Sequence, residues 1–135
     1  MTFTYPDISV IAVLVSAVLQ FALGFLWYSP LTPMGARWMA EMKIRPDGKP
    51  GVEMLAFPIG SLVASWAAAM VYAWSGASGV TQGIFAAEVV GLAVAVQVLT
   101  ASVANNMRSG ALLTINLAYV FVAYAITGIV LGLLG

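Results

Sequence analysis

A carboxyl group inside a long apolar run is the one place in this chain with the makings of acid–base or cation chemistry. Glu88 stands within 82–104, a stretch built mostly of Ala, Val, Leu and Gly. If that stretch crosses a bilayer, a charge there costs about 3 kcal/mol or more unless it is paired or hydrated. Desolvation also disfavours the ionised form of a carboxyl. Two readings follow: a proton- or cation-binding group facing a bundle interior, or a protonated or hydrogen-bonded Glu near the interface. At helical spacing Glu88 shares a face with Gly91, Ala95, Ser102 and Asn106. Gln97 lies on the opposite face, in line with Ala101, Asn105 and Arg108. A helix with two polar faces is expected to touch protein on both sides.

Similar registers recur elsewhere. Ser16, Gln20, Gly24 and Trp27 share a face in the first apolar run, and Asn116, Tyr119, Ala123 and Thr127 share one in the last. Such groups can serve as interhelical glue worth about 0.6–2 kcal/mol per hydrogen bond. The sharper reading is a water-filled path lined by Gln20, Glu88 and Asn116.

Several other chemistries lack their residues. The chain has no Cys and no His, so disulfides, thiolate or imidazole metal sites and His-based relays are excluded. It has neither an Asp pair nor a Gly-x-Ser-x-Gly elbow. Glu88 and Ser102 are too far apart along one helix to form a dyad. No catalytic residue, metal or cofactor is expected, and the chain is not expected to be an enzyme. A formal net charge of zero offers no basic surface for nucleic acid.

The elements that must position these groups follow from composition. Of 135 residues, 62% are hydrophobic and 7% are charged, against roughly 45–50% and about 25% in soluble domains. So few charges could not cover a water-facing surface. A span needs about 20 apolar residues, which predicts helices over 8–28, 54–74, 82–104 and 110–134. The expected fold is all-α: one domain, a bundle of four transmembrane helices, with a short amphipathic interfacial segment after the first.

The first run has no Lys or Arg before it and is longer than a signal-peptide core of ~7–15 residues, so it reads as a retained helix. Pro6 and Asp7 suit its first turn. Trp27 and Tyr28 read as interfacial anchors, and Ser29-Pro30 stops the helix. Met34, Trp38 and Met42 then recur every fourth residue beside a stripe of Arg37, Glu41 and Arg45. That spacing predicts an amphipathic helix in the headgroup layer with Trp38 as an anchor; a solvated loop is the plainer alternative. Turn residues from Pro46 to Gly51, Ser75 to Gly79 and Asn105 to Ser109 separate the remaining runs.

Small residues line several faces: Gly60, Ala64 and Ala68, with Ser61, Ser65 and Ala69 beside them; Gly83, Ala87, Gly91 and Ala95; and Gly128 with Gly132. Such ridges let helix backbones approach closely. Packing within the chain is the expected use, and dimerisation the alternative. Arg37, Lys43, Arg45 and Lys49 fall in loop 29–53 and Arg108 in loop 105–109. The positive-inside rule makes both loops cytoplasmic and both termini external, in a plasma (inner) membrane.

The run Gly24-Phe25-Leu26-Trp27-Tyr28-Ser29-Pro30-Leu31, followed by Arg37-Trp38-Met39, resembles the signature of domain-of-unknown-function family 1761. Asn106, Arg108, Leu113-Thr114-Ile115-Asn116-Leu117-Ala118-Tyr119 and the spacing of Gly128 and Gly132 extend the likeness over nearly the whole chain. The family pattern usually has Gly before the Tyr matched by Tyr119 and often a His after it; here these are Ala118 and Val120. The resemblance implies a small polytopic membrane protein and no particular reaction. The expected function is a small oligomeric transporter or channel for an ion or small solute, with Glu88 as its titratable group. The alternative is an accessory or assembly subunit packed against a larger membrane complex. Expected partners are the lipid bilayer and either further copies of the chain or another membrane protein.

Overall fold

A computed structural model describes residues 5–42, 53–104 and 110–135, and all regular structure among them is helical. There are five helices: α1 (Val10–Trp27), α2 (Pro33–Met42), α3 (Glu53–Trp74), α4 (Gly79–Ala104) and α5 (Gly110–Leu134). All but α2 are long and apolar enough to cross a membrane. In lipid a backbone has no water to bond, so only helices satisfy these segments internally. Lys43, Arg45, Lys49, the turn at 46–51 and the segment 105–109 with Arg108 lie outside the described residues.

The helix ends follow local chemistry. Pro6 and Asp7 precede α1 instead of forming its first turn. The hydroxyl of Ser9 accepts from the Ala12 N–H at 3.2 Å and so fixes the cap there. The third span begins at Gly79, three residues before the expected start, where positive φ at Gly76 and Gly79 turns the chain. The Gln82 side chain then accepts from the Ser78 N–H at 2.9 Å.

Between α1 and α2 the chain reverses within five residues. The Thr32 hydroxyl bonds carbonyls at the end of α1 and accepts from Gly35 N–H. A Cβ at Gly35 would overlap the Ser29 carbonyl, so only glycine lets α2 fold back this closely. Arg37 pairs with Glu41 at 3.1 Å along the exposed side of α2, as their i,i+4 spacing allows.

Helix α5 is the centre of the bundle, packed against α4, α1, α3 and α2, while α1 and α4 do not meet. The α4–α5 pair is the closest. A Cβ on Gly128 would lie 2.6 Å from the Gly83 carbonyl oxygen and the Ile84 nitrogen, and one on Gly132 would meet Gly79 at 2.6 Å. These glycines, with buried Ala86 and Ala87, let the two backbones touch over two turns near the chain termini. The opposite end of the bundle carries α2.

Candidate polar core and groove

Polar side chains on α1 and α5 meet at mid-depth. Gln20 Nε2 donates to Thr127 Oγ1 at 2.6 Å, and the Thr127 hydroxyl donates back to the Ala123 carbonyl at 3.0 Å. Thr127 is fully buried and Gln20 is only 4% exposed. Tyr119 OH donates to the backbone carbonyl of Gln20 at 3.2 Å. Gly24, one turn further along α1, leaves room for that phenol: a Cβ there would sit 3.1 Å from it. Each bond closes a polar group that lipid would penalise.

Beside this contact lies an open groove of about 300 Å³ in the α2-end half of the bundle, lined among others by Gln20, Gly60, Ser61, Tyr119 and Tyr124. Small residues create it. Ala56, Gly60 and Ala64 recur every fourth residue along its α3 wall, and a Cβ on Gly60 would meet nothing within 4 Å. The Gly60–Ala64 ridge therefore bounds open space, whereas Gly83, Gly91, Gly128 and Gly132 take neighbours against their backbones. Val120 also lines the groove.

Glu88 does not line this groove and stands near Tyr124 at Gly91. A Cβ on Gly91 would come 3.0 Å from Tyr124 Cγ and 3.2 Å from Glu88 Oε2, so the missing side chain at Gly91 admits both groups. Glu88 lies about 5 Å from the midpoint of α4 at 1.5 Å per residue. It is half-buried, and its Oε2 is buried without a hydrogen-bond partner. The hydroxyls of Ser16 and Ser65 are likewise buried and unpartnered, with both residues at 0% exposure. Buried polar atoms usually find a partner, and among the described residues these three have none.

The expected path through Gln20, Glu88 and Asn116 is not assembled in this form. Gln20 borders the groove, Glu88 lies near Gly91 outside the groove lining, and Asn116 belongs to a separate cluster at the α2 end. There Tyr28 OH donates to Asn116 Oδ1 at 2.8 Å, and Trp27 Nε1 donates to the Ile115 carbonyl at 3.1 Å. The Tyr28 ring packs between Trp38 at 4.8 Å and Tyr119 at 5.4 Å. Trp27, Tyr28 and Trp38, expected as lipid-interface anchors, are partly buried and join α1, α2 and α5. Gln97 is exposed on α4. Thr127 was read from the sequence as one of four residues on a face of the last run; Tyr124 was not singled out. The pairing of Thr127 with Gln20 has no sequence signal beyond each lying on a polar face.

The residues of this cluster come from two segments some ninety positions apart, and both belong to one family pattern. A family model described as "Protein of unknown function (DUF1761)" matches residues 11–132. The chain belongs to that family. No curated protein and no solved structure matches it. In this DUF1761 chain the Trp27-Tyr28-Ser29-Pro30 block and the Ile115-Asn116 and Tyr119 positions form one interhelical contact. That contact fixes how α1 and α2 sit against α5 and thereby sets one wall of the groove.

Proposed function

We propose that this DUF1761 protein is a small oligomeric carrier for a small solute, with the groove as its binding place and Glu88 as the group that exchanges a proton or cation. It sits in the plasma membrane with α2 on the cytoplasmic side and both termini outside, the arrangement that its basic loop residues favour. The observation that supports a carrier over a channel is the one-sidedness of the groove. Its lining lies between the α2 end and mid-depth, while in the other half α4 and α5 touch through their glycines. A binding site that meets a packed barrier at the midplane suits alternating access. The groove volume falls at the lower end of small-molecule sites, roughly 300–1,000 Å³, and its walls are mostly apolar with amide and phenol groups at one side. A small, largely apolar solute with a polar end fits that lining.

Flux into proteoliposomes across a panel of small amphipathic solutes tests the proposal, with Gly60→Phe and Glu88→Gln as variants. The Gly60→Phe ring enters the groove without striking a neighbour at its Cβ, so stability is retained while uptake falls at least tenfold. Uptake unchanged in both variants removes the groove and the carboxyl from the account.

A further inference from the structure

Two exposed faces of α4 differ in chemistry. One carries Phe85, Val89, Leu92, Val96, Leu99 and Val103, all bulky, apolar and exposed, as a lipid-facing surface should be. The adjacent face carries Ala93, Gln97, Thr100 and Ala104, also exposed and at alternating spacings of four and three. Small and polar side chains at that spacing are the composition by which membrane helices associate, and they are poor lipid contacts. Gln97 is the sharpest member. It lies about 8 Å from the midpoint of a helix that is about 39 Å long at 1.5 Å per residue. Its amide has no hydrogen-bond partner among the described residues. An amide left in hydrocarbon costs several kcal/mol. Helix α4 is also the span least enclosed by its own chain, 22% buried against 33–39% for the others.

We propose that this face of α4 pairs with the same face of a second copy, and that the two Gln97 amides bond each other across the two-fold axis. Copies inserted with one orientation are related by an axis along the membrane normal, so each position meets its equivalent at the same depth. A carboxamide suits that geometry because it carries both donor and acceptor, and one amide satisfies its symmetry mate without any other polar group. Ala93, Thr100 and Ala104 bring the helices close enough for the bond, and the bulky stripe stays in lipid. A foreign helix would need its own polar group at this depth; a second copy brings it by symmetry. This dimer rests on α4 alone and stands whether or not the protein carries a solute.

The chain has no cysteine, so single-cysteine variants of the full-length protein report contacts directly. Oxidation in native membranes is expected to cross-link Ala93→Cys and Ala104→Cys to a dimer, and to leave Phe85→Cys and Val96→Cys monomeric. Native mass spectrometry of the unsubstituted protein then gives twice 14.1 kDa. Gln97→Leu, which keeps the helix apolar, raises the dimer dissociation constant about 3- to 30-fold, the range of an interhelical amide bond. Three results overturn the proposal: a monomeric mass with no cross-link, cross-linking through Phe85→Cys or Val96→Cys in place of the small face, or an adduct whose mass shows a different protein. Loss of solute flux in a variant that still cross-links bears on the carrier reading and leaves the dimer intact.

Discussion

Replacing Gly128 by alanine adds one methyl group where two helix backbones touch. Its Cβ would lie 2.6 Å from the Gly83 carbonyl oxygen and from the Ile84 nitrogen, and against the Ile84 Cα. None of these atoms can swing aside as a flexible side chain could. To reach ordinary contact near ~3.5 Å, α4 and α5 must separate locally by about 1 Å. A gap of that size forfeits roughly a quarter to a half of the dispersion energy of neighbouring pairs, and overpacking typically costs 1–3 kcal/mol. With the contact continued by Gly132 one turn on, the upper part of that range applies: about 2–3 kcal/mol, or roughly 30- to 140-fold in the folded-to-unfolded ratio. Gly60→Ala is the matched control, since a Cβ there meets nothing within 4 Å. Both substitutions gain the same ~0.5–1 kcal/mol of helix propensity, so their difference isolates the steric effect. Reversible unfolding in mixed micelles, followed by the fluorescence of the four tryptophans, measures it. Stabilities within about 0.5 kcal/mol of each other would refute the close α4–α5 contact and the reasoning drawn from it.

The remaining expectations concern single contacts. A double-mutant cycle over Gln20→Ala and Thr127→Ala should return a coupling of about 1 kcal/mol in the same unfolding assay, the scale of a buried interhelical bond; a coupling of zero would mean the 2.6 Å bond adds nothing. Tyr28→Phe keeps the ring stack but loses the bond to Asn116, so α2 should loosen by about 1 kcal/mol and trypsin should cleave after Arg37 several-fold faster. An unchanged cleavage rate would show that this bond does not hold α2. Gly35→Ala places a methyl on the Ser29 carbonyl and should release α2 altogether, seen as a red shift of Trp38 emission.

Much of this architecture was legible because membrane helices obey a blunt rule. Hydrocarbon admits only long apolar segments with internally bonded backbones, so the four spans could be read from composition to within a few residues. The stop at Ser29-Pro30 was equally local. So was the register of α2, where Arg37 and Glu41 needed only a helix to come together. Where α1 began later than expected, a single side chain decided it: Ser9 caps the helix beyond Pro6 and Asp7.

Partnership was not legible. Gln20, Glu88 and Asn116 are each a polar group on a helix face, and periodicity assigns a face without saying what covers it. Tertiary packing gave Gln20 to Thr127, Asn116 to Tyr28, and left Glu88 Oε2 unpartnered beside Tyr124. The small residues make the same point more sharply. Gly60 with Ala64 and Gly128 with Gly132 are the same pattern in sequence, yet one pair borders a groove and the other is filled by a neighbouring backbone. A missing side chain permits close approach but does not supply the helix that approaches. The sequence alone determined that this protein is built of membrane-spanning helices, through the free energy of burying each segment in lipid. Which faces meet, and so where a cavity remains, was decided by the mutual fit of all four spans, a property that no single segment carries.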